Sequence, residues 1–98
     1  FKIGCKGIVP CLDGADKFTK IYNYFKQNKL NQAERDYKNI LPNIVFIMQS
    51  IDSLVCYGKR VCAFRMGVKN VYDRKPFLKP TDYGIQKSKK IANSLGYF

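Results

Sequence analysis

At 98 residues, 46% of them hydrophobic, the chain can form one domain with a real core and is too short for two. Its 18 Lys and Arg outnumber 7 acids, a net charge of +11, beyond the roughly 2–8 that keeps a small domain soluble. Histidine is absent, which removes the usual general base, the commonest metal ligand and any Ser-His or Cys-His nucleophile.

No P-loop, Gly-x-Gly-x-x-Gly or paired-carboxylate pattern occurs, so the sequence points away from an enzyme and from a cofactor. The longest apolar run, 44–48, falls far short of the ~20 residues of a membrane span. No leader is visible, as in a mature form whose leader has been removed.

The elements follow in chain order. Residues 1–12 hold two glycines and Pro10 and are expected as an irregular arm. Asp13 or Asp16 can cap a first helix, on which Phe18, Ile21, Tyr22 and Phe25 make an apolar stripe. Asn31 and Glu34 form a capping-box variant for a short helix to about Ile40, with Ala33, Tyr37, Ile40 and Leu41 facing inward. Pro42 interrupts and can begin a fresh helix. Ile44, Ile47, Met48, Ile51, Leu54 and Val55, widened by Val45 and Phe46, make that helix the core one, ending at Tyr57 before Gly58.

Residues 61–72 suit a helix or a strand; helical neighbours favour a helix. Residues 73–80 read as a linker around Pro76 and Pro80. Thr81 caps a last helix with Ile85, Ser88, Ile91, Ala92 and Leu95 on one face, and Gly96 stops it. The expected fold is all-α: a single domain over 1–98, a compact disulfide-stapled bundle of four main helices, five or six counting short ones.

Four cysteines, Cys5, Cys11, Cys56 and Cys62, form two Cys-x5-Cys pairs. This is neither zinc-knuckle nor redox spacing, so no metal is expected. An even count in a short basic chain reads as two disulfides in a secreted protein. Local pairs would do little for the fold. Bonds between the arm and the middle of the chain close long loops, each worth about 2–5 kcal/mol. Antiparallel packing of the first and third main helices favours Cys11–Cys56 with Cys5–Cys62. "GKR" at 58–60 resembles a prohormone cleavage signal, but a helix end with Gly58 at C′ explains it better.

The charge is uneven. Residues 59–98 hold ten bases and two acids; residues 1–58 hold eight and five. The candidate binding residues are Lys59, Arg60, Arg65, Lys69, Tyr72, Arg74, Lys75 and Phe77, with Lys79 and Tyr57 beside them. Arg and aromatic side chains suit interface anchors, and basic charge steers acidic partners. A solvated basic face is the plainer explanation for any one of these residues. Polyanions or anionic membranes are alternative partners, and no nucleic-acid signature is visible.

In size, basicity, paired cysteines and a Lys/Asn/Ile/Tyr/Phe-rich make-up without Trp or His, the whole chain resembles the small secreted salivary proteins of blood-feeding sand flies, above all their anti-complement members. The odorant-binding-like members of such saliva carry six cysteines, so their ligand pocket is not implied. The resemblance implies a secreted, monomeric inhibitor that binds a host plasma protein early in the antibody-triggered, or classical, complement pathway. It transfers no site residues.

Overall fold

The computed structural model describes residues 3–98; of the expected arm, residues 1 and 2 lie outside the described residues. Among the described residues there are helices and no strands. After a single 3-10 turn at Leu12–Gly14 come α1 (Ala15–Lys26), α2 (Leu30–Ile47), α3 (Ile51–Arg65) and α4 (Asp82–Leu95). The all-helical class and the count of four main helices agree with the sequence; α1 and α4 match expected elements, while the middle of the chain is divided differently.

α1 buries Ile21, with Phe18 and Tyr24 against the core. Its start carries no side-chain cap from Asp13 or Asp16. It ends on Asn28, whose φ of 57° reverses the chain, with Asn28 N–H donating to the Phe25 carbonyl and Lys29 N–H to that of Tyr24. The reversal lays α2 against α1.

α2 runs unbroken through Pro42, and Asn31 lies inside it, so the expected capping box and the break at Pro42 are both absent. Its inward residues are Ala33, Ile40 and Ile47, spaced by seven; Tyr37 and Leu41 are exposed. The burial of this seam accounts for a helix that continues past a missing backbone donor.

The chain then turns by 105° into α3. Ser50 caps the new helix, its Oγ accepting from Ser53 N–H at 3.0 Å. The expected core helix is thus cut in two at 48–50. The cut rotates its stripe: Met48, Ile51 and Val55 face solvent, while Ile47 is buried.

α3 contains one π turn, Leu54–Gly58, and continues through Gly58 to Arg65. Gly58 is therefore a packing residue and not a stop. A Cβ there would lie 3.1 Å from both Ile47 Cγ2 and Leu54 Cδ1. The stop is Gly67, at φ 73°, where Val68 N–H reaches the Ala63 carbonyl and Gly67 N–H that of Phe64, a Schellman motif. The expected helix over 61–72 accordingly ends at Arg65, and 66–81 is irregular.

α4 packs on α3. Thr81 caps it, its Oγ1 accepting from Gly84 N–H, and Gly96 follows its last residue, both as the sequence implies. Ile21, Ala33, Ile40, Ile47, Val61, Ile91, Ala92 and Leu95 form one core.

The expected staples are absent: the four thiols are unbonded. Cys56 is buried while Cys11 is exposed, so Cys11–Cys56 would join groups in different surroundings. The 3-10 turn is instead held to α3 by Arg65.

Candidate binding surface

The irregular segment 66–81 carries four bases, Lys69, Arg74, Lys75 and Lys79, and the single acid Asp73. Three attachments fix it. Gly67 closes α3 at its start. At its end, Tyr57 Oη accepts from Thr81 N–H at 3.3 Å and lies 3.4 Å from Thr81 Oγ1.

The middle attachment is ionic. Lys59 Nζ donates to Asp73 Oδ1 at 2.6 Å and to the Tyr72 carbonyl at 2.7 Å. Arg60 Nη2 pairs with Asp73 Oδ2, and Arg60 Nη1 also reaches the Cys56 carbonyl at 2.7 Å. The Arg60 and Lys59 contacts hold the Asp73 carboxyl down at about 2. The same carboxylate raises the pKa of Arg60. Both charges keep hydrogen-bond partners in a part-buried setting, the condition under which such a pair is tolerated.

This geometry sorts the candidate residues. Arg60 is 6% exposed and Lys59 half-buried; both clamp the segment through Asp73. Arg65 is 1% exposed. Its Nε donates to the Gly96 carbonyl at 2.6 Å, Nη1 to the Asp13 carbonyl at 2.7 Å, and both Nη atoms to the Asp16 carboxylate. The Phe98 ring lies 3.9 Å from its guanidinium carbon. Arg65 therefore ties the start of α1, the end of α3 and the C-terminus together, and it holds Asp16 at about 2.

Lys69, Tyr72, Arg74, Lys75 and Phe77 are all exposed on one connected segment, with Tyr72 at 84%. Five of the eight candidates are therefore exposed on one segment, and three are structural. Two participants escaped the sequence reading. Asp73 organises the segment; its signal was its position as the lone acid among bases. Tyr83, exposed on the first turn of α4, adds a third aromatic beside the segment. Its place just past the Thr81 cap was the available clue.

Among the described residues no three Cys, Asp or Glu side chains are grouped to hold a metal ion. Among the described residues no single helix is long and apolar enough to cross a membrane. No family model, no curated protein and no solved structure matches the chain.

Proposed function

We propose that the protein is a secreted inhibitor of host complement, acting in the classical pathway by binding an early protein component without catalysis. The observation that supports a binding role is the clamped segment 66–81. Asp73 pairs with the two inner bases, Lys59 and Arg60, while Lys69, Arg74, Lys75 and Lys79 stay exposed beside Tyr72, Phe77 and Tyr83. A segment fixed at both ends and in its middle loses little freedom on binding. The bases steer it toward an acidic protein surface, and the aromatics supply contact area. The choice of complement rests on the whole-chain resemblance to sand-fly salivary proteins.

The test is lysis of antibody-coated red cells in host serum. Wild-type protein at micromolar concentration protects the cells; unprotected cells overturn the complement assignment. The net charge of +11 also favours a second reading, a binder of polyanions or anionic membranes. Capture from plasma separates the two. A single plasma protein retained at physiological salt and still held at about 0.5 M supports the protein inhibitor, because exposed charge pairs are screened at that concentration.

A further inference from the structure

A groove of about 480 Å³ runs between the 3-10 turn and α3. Its walls include Cys11 and Leu12 from the arm side and Gly58, Cys62 and Met66 from the helix side. We propose that Cys11 and Cys62 are disulfide partners, and that their bond pins the N-terminal arm across this groove.

The surrounding contacts already bring the two stretches together. Asp13, two residues after Cys11, accepts through its carbonyl from Arg65, three residues after Cys62. The Asp13 carboxylate lies 3.8 Å from the point a Gly58 Cβ would occupy, so the turn sits over the Gly58–Cys62 stretch of α3. The Asp13 charge also bears on the Cys62 thiol, whose pKa burial has already raised.

Cys56 faces elsewhere. It is 3% exposed, and its Sγ lies 3.4 Å from Arg60 Nη1, beneath the Asp73 clamp. Cys11, by contrast, is exposed at the end of the arm.

The oxidant is a small-molecule disulfide such as oxidised glutathione. The exposed Cys11 thiolate attacks one glutathione sulfur, breaks the S–S bond and releases one glutathione thiolate. The Cys62 thiolate then attacks the Cys11 Sγ and displaces the second glutathione. Two protein thiols lose two electrons and two protons, and one glutathione disulfide becomes two glutathione thiols. The proposal is independent of the complement reading, because it concerns the fold in any oxidising setting.

The test uses the full chain in a glutathione redox buffer, followed by alkylation and trypsin without reduction. Cleavage after Lys6, Lys17, Lys38, Lys59, Arg60 and Arg65 places each cysteine in its own peptide. The expected product joins peptide 7–17 to peptide 61–65, two hydrogens lighter than their sum. Either peptide joined to the Cys5 or Cys56 peptide, or both recovered alkylated, overturns the proposal. Thermal melting provides a second measurement. Cys11→Ser and Cys62→Ser should each lower the Tm of the oxidised chain by about 10 °C or more, with the double variant no lower than the worse single. A large loss in one single variant with none in the other overturns it.

Discussion

Gly84 and Tyr57 meet so closely that a Cβ on Gly84 would come within 2.2 Å of the Tyr57 ring. α4 is seated on α3 at this point, and Thr81 closes over the same ring through its hydrogen bonds to Tyr57 Oη. Gly84→Ala should cost about 2–3 kcal/mol, because both the buried ring and α4 would have to move. Tyr57→Phe removes only the two long hydrogen bonds and should cost about 0.5–1.5 kcal/mol. Urea unfolding checks the contrast. Equal midpoints for the two variants would show that the close approach has no energetic weight.

Arg65 makes the acid limb of stability predictable. Asp16 and Asp73 titrate at about 2 in the folded chain, against an ordinary 3.8. Their folded values are depressed, so their contribution is complete above the unfolded value and is lost as pH falls through about 2. Asp13 runs the other way. Burial raises its value, so it favours the folded state more as it takes up a proton. The wild-type urea midpoint should therefore fall between about pH 4 and pH 2. An Asp16→Asn, Asp73→Asn double variant should be less stable at pH 7 and flatter across that window. A variant with the same acid slope as wild type would contradict the assignment.

Gly67 tests where α3 stops. It holds φ at 73°, with open space around it, so Gly67→Ala should cost about 1 kcal/mol through backbone strain alone. At Gly58 the helix continues, and a methyl group there would gain helix propensity while lying 3.1 Å from the β-branch methyl of the buried Ile47 and from the more mobile Leu54 Cδ1. Gly58→Ala should stay within about 1 kcal/mol of wild type. Destabilisation at Gly58 with none at Gly67 would place the stop where the sequence suggested.

The helices were legible where one stripe met one boundary signal. Ile91, Ala92 and Leu95 follow Thr81 and precede Gly96, and each behaves as its pattern implies. The middle of the chain was misread because two local signals conflicted. Pro42 and Gly58 are strong breakers in isolation, yet burial of Ile40, Ile47 and Val61 carries the helices through both. The true breaks, Ser50 and Gly67, offered one weak cap and one glycine among valines. The binding surface was half legible for a related reason. Charge alone cannot distinguish Arg74, which faces water, from Arg60, which is buried against Asp73 through a contact thirteen residues away.

That distinction governs the test of the binding segment. Lys69, Arg74, Lys75 and Lys79 lie outside the Asp73 clamp and are exposed. Replacing exposed charges away from such a feature usually changes stability by no more than about 0.5 kcal/mol each. Reversing all four to Glu should therefore leave the helical spectrum and melting transition close to wild type. It should also abolish protection of antibody-coated cells, because the reversed segment now repels an acidic partner. Tyr72→Ala and Phe77→Ala, in the native charge background, should weaken protection by reducing contact area, with little effect on folding. Arg60→Glu is the necessary contrast. It places a buried carboxylate against the half-buried Asp73 and removes that acid's guanidinium partner, so a loss of about 3 kcal/mol is expected. Its loss of protection would then report unfolding and not the contact surface. If the folded quadruple variant still protects, segment 66–81 is not the contact surface. The exposed Lys20 and Lys26 on α1 are then the next surface to reverse.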